Sequence, residues 1–140
     1  MSRVFWDTNI YIYLFEGVEP FFDQARTLRN RMVERRDVLL TSTMTLGEIQ
    51  VGPRRAGNAA LAEQYRDVIL QTSTVSPFDL KVADMYAKLR ANPSIKAPDA
   101  IQLSCAAVAG VELFVTNDKS LHNLSIPGIH FIASLDRAPI

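Results

Sequence analysis

The chain has 140 residues, 48% of them hydrophobic, and a mean hydropathy of +0.04, which suits one globular domain and excludes a disordered polyelectrolyte. Its 15 Lys and Arg balance 15 Asp and Glu, so it lacks the basic excess that usually marks a nucleic-acid binder. A single cysteine, Cys105, excludes an internal disulfide and points to a reducing, cytoplasmic setting; no run approaches the roughly 20 apolar residues that cross a bilayer, and Asp7 and Glu16 interrupt the first apolar stretch, unlike a signal peptide.

Val4-Phe5-Trp6 reads as a buried first strand that stops at Asp7. Thr8 is placed to cap a following helix that carries Ile10, Ile12 and Leu14 and ends near Gly17. Phe21 to Arg36 has Phe21, Phe22, Ala25, Leu28, Met32 and Val33 at helical spacing, and Val38-Leu39-Leu40 reads as a second strand. A helix over Ser42 to Val51 is expected to stop at Gly52-Pro53, followed by a helix over Ala59 to Leu70 with Leu61, Tyr65, Val68 and Ile69 on its apolar side. Thr72 to Val75 is a weak strand closed by Pro77. The amphipathic repeat Val82, Ala83, Tyr86, Leu89 predicts a helix over Leu80 to Arg90. Pro98 opens the next helix and Gly110 ends it, the Pro-first, Gly-last asymmetry of helix termini. Leu113-Phe114-Val115 and Ile129-His130-Phe131-Ile132 complete the strands. Short, continuously apolar strands separated by helices indicate crossover units and a parallel sheet covered on both faces. The expected fold is one α/β domain over residues 1–140, a three-layer α/β/α sandwich.

Ligands of open parallel sheets bind beyond the carboxyl ends of the strands, and four acids fall near that edge. Asp7 follows the first strand directly, Asp118 comes three residues after Val115, and Glu48 lies in the helix after Val38-Leu39-Leu40. Asp99 begins the helix before the Leu113 strand; that helix runs antiparallel to its strand, so its start lies at the same edge. Carboxylates at close range repel one another unless a cation intervenes, and an all-oxygen set selects hard ions such as Mg²⁺ or Mn²⁺. Such ions polarise phosphates and acidify bound water, so neither His122 nor His130 is needed as a base. With four acids on metal, the 15 basic residues would face the 11 acids left, an excess of four positive charges that permits a polyanionic substrate.

Each acid also has an ordinary explanation. Asp7 could merely end a strand, although directly after three large apolar residues a carboxylate is costly. Glu48 could close a capping box in Thr45-Leu46-Gly47-Glu48, Asp99 could complement its helix dipole, and Asp118 could be a turn residue after Asn117. Their joint placement is what raises the set above its parts.

Asp7-Thr8-Asn9, Thr45-Leu46-Gly47-Glu48-Ile49, Pro98-Asp99-Ala100-Ile101-Gln102-Leu103 and Thr116-Asn117-Asp118, in that order and spacing along essentially the whole chain, resemble the PIN-domain family, and within it the VapC toxins of bacterial toxin–antitoxin pairs. Each motif is weak alone; four in order are specific. The resemblance implies a PIN-like, mostly parallel five-stranded sheet and an Mg²⁺- or Mn²⁺-dependent endoribonuclease. It further implies Asp7, Glu48, Asp99 and Asp118 as metal-site acids, with Thr8, Asn9, Thr116 and Asn117 as hydrogen-bonding support. A homodimer and a cognate VapB-like antitoxin that inserts a segment near the active groove are implied as well. Where some relatives carry a further acid two residues beyond the last Asp, this chain has Ser120, one carboxylate fewer for a second ion.

Other features admit two readings. Arg26, Arg29, Arg31, Arg35 and Arg36 could grip RNA phosphates, or form a solvated face beside Glu34 and Asp37 or an antitoxin contact. Arg54-Arg55 is expected in a loop near Glu48, as substrate or partner contact or as a solvated turn. Phe5, Trp6, Tyr11, Tyr13 and Phe15 favour packing over base stacking, with exposed tyrosines suited to an antitoxin or dimer surface, and Cys105 reads as an inert packed thiol. Two other functions compete with the ribonuclease. A phosphatase with Asp7 as nucleophile would want a second Asp where Asn9 stands and a lysine at the phosphoryl site, for which no candidate is evident. A non-catalytic RNA-binding module would use the acids for a structural metal.

Overall fold

Arg3–Trp6 forms β1, whose residues alternate between two cores, and the computed structural model, which describes residues 1–140, places this strand at the centre of the sheet. The other strands are β2 (Val38–Ser42), β3 (Thr74–Ser76), β4 (Val111–Val115) and β5 (Ile129–Ala133), in the order β3-β2-β1-β4-β5 and all parallel. The chain moves outward from β1 through β2 to β3, then returns to the other side of β1 for β4. The crevice between β1 and β4 is therefore a topological switch point, where the strand ends are left open to a ligand.

Seven helices connect and cover the strands: α1 (Thr8–Glu16), α2 (Phe21–Arg35), α3 (Thr43–Ile49), α4 (Val51–Arg55), α5 (Ala59–Thr72), α6 (Leu80–Arg90) and α7 (Ala97–Ala109). On one face Phe5, Leu40 and Phe114 pack with Val82 of α6 and Leu103 of α7. On the other, Val4, Trp6, Leu39, Leu113 and Val115 pack with Ile10 of α1 and Ala25, Leu28 and Met32 of α2. This is the expected three-layer sandwich, because side chains of period two feed both faces and each face must be buried. No helix is long and apolar enough to cross a membrane.

Several local expectations change. The cap of α1 is Asp7, not Thr8: Asp7 has extended backbone and its Oδ1 accepts from the Ile10 N–H at 3.4 Å. Gly52-Pro53 does not stop a helix but lies in the first turn of α4, where proline's missing N–H would have no partner anyway; Arg54 and Arg55 thus sit in a helical last turn rather than a loop. The capping-box reading of Glu48 fails because α3 starts at Thr43 with Ser42 as cap, whose Oγ accepts from the Thr45 N–H. Thr72 belongs to α5, its hydroxyl donating to the Val68 carbonyl, so β3 begins only at Thr74. Ala62 and Ile69 are the buried residues of α5 while Val68 faces outward, and on α2 Val33 does the same. Tyr11 is not exposed: it packs edge-on against Trp6 in the core and shares a 2.8 Å hydrogen bond with the Ser73 hydroxyl. Cys105 is buried, and burial pushes its thiol up to about 11, so it is inert at neutral pH.

Gly128 fixes how the loop before β5 meets the end of α7. Its φ is +96°, and a Cβ there would lie 2.3 Å from the Ala107 carbonyl oxygen. Gly128→Ala combines backbone strain with a clash against main chain that cannot move aside. A loss of about 3 kcal/mol in urea unfolding is expected.

Candidate active site

The sheet's open edge brings three of the four expected acids into one cleft. Asp7 leaves β1 with its N–H donating to the Val115 carbonyl at 3.3 Å, which ties the ends of β1 and β4 together. Asp7, Glu48 and Asp99 then line one cleft of about 320 Å³, with Thr8, Asn9, Ile12 and Gln102 also on its walls. Asp118 lies outside that lining but is close enough that its charge, after burial itself, is the main cause raising the Asp99 carboxyl, with Glu48 adding and Lys96 opposing. The Asp7 carboxyl is pushed up to about 6, mostly by burial; hydrogen bonds from the Thr116 hydroxyl and the Ile10 and Asn9 amides offset this in part, and Asp99 adds repulsion.

No three acids close into a metal-ligand cage. Several carboxylates are instead tethered through one oxygen. Glu48 Oε1 accepts from the Thr8 hydroxyl at 2.6 Å. Asp118 Oδ1 accepts from the Ser120 amide at 3.0 Å and its hydroxyl at 2.7 Å, so Ser120 clamps Asp118 instead of extending the acid set. The second oxygen of each remains available. This suits a small hard cation that keeps several waters and is bound through one or two carboxylates, the usual manner of Mg²⁺.

Behind the acids lies a buried polar network that the sequence does not announce. The Gln102 side-chain amide donates to Thr45 Oγ1 at 2.9 Å and Thr8 Oγ1 at 3.2 Å, and its oxygen accepts from the Ser42 hydroxyl. Thr45 Oγ1 lies 2.8 Å from Thr41 Oγ1, whose hydroxyl also bonds the Trp6 carbonyl. Gln102 thus joins α1, α3 and the end of β2 from α7, and through Thr8 it bears on Glu48. The only sequence signal was a Gln amid the apolar residues of α7, three residues after Asp99.

The supporting residues divide. Asn9 is exposed on the cleft wall. Thr116 is buried, its hydroxyl accepting from the Asp118 amide at 3.1 Å and its carbonyl 2.7 Å from His122 Nε2. Asn117 Oδ1 accepts from the Leu135 amide at 3.0 Å, fastening the loop after β4 to the C-terminal segment. Arg54 and Arg55 do not line the acid cleft, and Arg54 donates to Gln50 Oε1 at 3.1 Å. On α2, Arg26 pairs with Asp23, Arg35 pairs with Asp37, and Arg31 donates to the Ile140 carbonyl. That series is at least partly a solvated, locally paired face. The early aromatics pack: Phe5 stacks on Phe114 at 5.1 Å, and Phe15 tilts against Tyr65 at 4.9 Å.

Residues 4–127 match the family model described as the PIN domain. The chain belongs to the PIN-domain family. Among solved structures, this PIN domain is similar to a chain of VapBC2 from Rickettsia felis bound to a DNA fragment from the promoter, with 19% identity, 94% of this chain and 98% of that one covered, and a TM-score of 0.72. It is also similar to a chain of DNA-bound VapBC from Salmonella typhimurium, at 21% identity, 96% and 99% coverage and a TM-score of 0.73. A chain of a toxin-antitoxin complex from Klebsiella pneumoniae is 28% identical over 90% of this chain and 94% of that one, with a TM-score of 0.64. No curated protein matches the sequence. These likenesses establish the PIN fold across nearly the whole chain, including the parallel five-stranded sheet.

Proposed function

We propose that this PIN domain is a metal-dependent endoribonuclease and the VapC-like toxin of a type II toxin–antitoxin pair. The observation that carries the reading is the convergence of Asp7, Glu48 and Asp99 on one cleft, with the charge of Asp118 felt at Asp99. The similar structures come from VapBC and toxin-antitoxin complexes, which supports a VapB-like antitoxin as partner; a homodimer is proposed on the family resemblance alone. One buried free cysteine fits a reducing cytoplasm.

Asp7, Glu48, Asp99 and Asp118 would hold Mg²⁺ or Mn²⁺. When bound, such an ion supplies Lewis acidity toward a phosphate oxygen and lowers the pKa of water. The protein's own contribution is positional. Thr8 keeps Glu48 turned to the cleft, the Ile10 amide donates to part-buried Asp7, and Ser120 and Thr116 fix the turn that presents Asp118. No histidine is on the cleft wall to act as a general base, and no acid stands at Asn9 to complete a phosphatase pair.

Purified protein is expected to cleave total cellular RNA in Mg²⁺ or Mn²⁺ and to stop in excess EDTA. Asp99→Asn and Asp118→Asn should each lower the initial rate about 10²-fold or more while leaving the far-ultraviolet circular dichroism spectrum unchanged. Cleavage by wild type that both variants match would discard the reading.

A further inference from the structure

A second cleft of about 710 Å³ opens beside the chain neighbours of Asp118, between the start of α2, the loop after β4 and the C-terminal segment. Its walls include Phe21, Lys119, His122, Asn123, Asp136 and Arg137, and Asn117, next to Asp118, lines it too. The cleft is therefore continuous in chain with the acid site. His122 reinforces that link, since its Nε2 bonds the carbonyl of Thr116. Tyr13, whose ring lies 4.6 Å from that of Phe21, stands on the same border, close enough to Asp7 that the carboxylate's charge adds to burial in raising its phenol.

Three properties of this cleft favour one ligand chemistry. Neither Lys119 nor Arg137 makes an ion pair within the protein, whereas Asp136, the one acid on the wall, is already engaged by the Ser134 hydroxyl. Phe21 is the single hydrophobic residue of the lining, too little apolar surface for a docked peptide anchor, which needs an apolar centre. Unpaired cations and amide donors around one aromatic ring instead match single-stranded nucleic acid, with phosphates on the cations and a base against the ring. The volume is that of a small-ligand pocket, enough for a nucleotide unit.

We propose that this cleft binds the backbone of single-stranded RNA flanking the bond presented to the acids, with Lys119 and Arg137 as phosphate contacts. The inference rests on the ribonuclease reading and names where that enzyme holds its substrate. It requires nothing of the metal, so binding can be read without turnover.

The test is fluorescence anisotropy of a labelled, mixed-sequence single-stranded RNA of about 12 nucleotides with the full chain in EDTA. Lys119→Ala and Arg137→Ala should each weaken binding about 3- to 10-fold at low salt and lower the salt slope by about 0.7 per lost contact. Asp136→Asn should tighten binding about 2-fold, since it removes the only negative charge on the wall. Structural damage does not predict that gain. Arg66→Ala, at a cation paired with Asp67 on α5, is the control and should leave binding unchanged. Equal affinity of wild type and the Lys119→Ala/Arg137→Ala double variant would overturn the proposal. So would an equal loss in the Arg66→Ala control. If wild type cleaves RNA while those variants bind it normally, the cleft assignment fails alone. If wild type neither binds nor cleaves RNA, the ribonuclease reading fails with it.

Discussion

Asp7→Asn is expected to abolish RNA cleavage and, in metal-free buffer, to stabilise the protein at neutral pH. The two effects share one cause. Asp7 follows the end of β1 and lines the cleft, where burial raises its carboxyl from 3.8 to about 6. A folded-state pKa above the unfolded one means that the native state binds the proton more tightly. The stability associated with the protonated carboxyl is therefore fully present below about pH 4 and is lost as pH rises through about 6. Above that range the buried charge costs at most about 3 kcal/mol, less after screening through the open side of the cleft. Asparagine removes the charge and keeps the helix cap, since its side-chain oxygen can still accept from the Ile10 amide.

Urea unfolding in EDTA should show the variant and wild type converging near pH 4 and separating above pH 6, the variant being more stable. Adding Mg²⁺ or Mn²⁺ should stabilise wild type by mass action and the variant much less. Cleavage should fall on the order of 10³-fold. A variant less stable than wild type at pH 8 without metal would contradict the account of Asp7 as a strained, functional acid.

Gln102→Leu is expected to cost both stability and activity, through different parts of one network. Leucine fills similar space but leaves Ser42, Thr45 and Thr8 without their shared partner in a buried setting. Unsatisfied buried hydroxyls cost about 1–3 kcal/mol each, and rotation of some toward other acceptors brings the expected total to about 3 kcal/mol. The functional loss goes through Thr8, whose hydroxyl is released from its set orientation toward Glu48. Outer-shell partners of metal ligands typically contribute 10- to 100-fold, so a drop of about that size in Mn²⁺ affinity is expected alongside the rate loss.

A double-mutant cycle separates the two losses. Thr8→Val should lower Mn²⁺ affinity by a similar factor, and the Gln102→Leu/Thr8→Val pair should be no worse than either alone. Thr8→Ser should behave like wild type because it keeps the hydroxyl. Additive losses of affinity would mean that Gln102 does not act through Thr8.

Much of the scaffold was legible in the chain. Continuous apolar runs such as Val4-Phe5-Trp6 and Leu113-Phe114-Val115 marked buried parallel strands, because a sheet covered on both faces has no polar side to alternate with. Pro98 and Gly110 bracketed α7, and the Val82-Ala83-Tyr86-Leu89 repeat marked α6. Local chemistry with close competitors was harder to read. Asp7 and Thr8 are both good caps, and the choice falls to Asp7 because its backbone turns off the end of β1. Gly52-Pro53 looked like a stop, yet a proline in a helix's first turn loses no hydrogen bond, and α4 simply restarts after Gln50.

The sequence by itself determined the layered α/β architecture and placed four acids at the carboxyl edge of the sheet, since both follow from short-range periodicity and the direction of crossover connections. Only the tertiary structure decided how those acids are held. Gln102 meets Ser42, Thr45 and Thr8 across 60, 57 and 94 residues of chain, and no local pattern encodes contacts of that range. The same holds for the second cleft, where α2, the β4–β5 loop and the C-terminal segment meet. Its cations are unremarkable in sequence and become a common surface only when the sheet brings their loops to one edge.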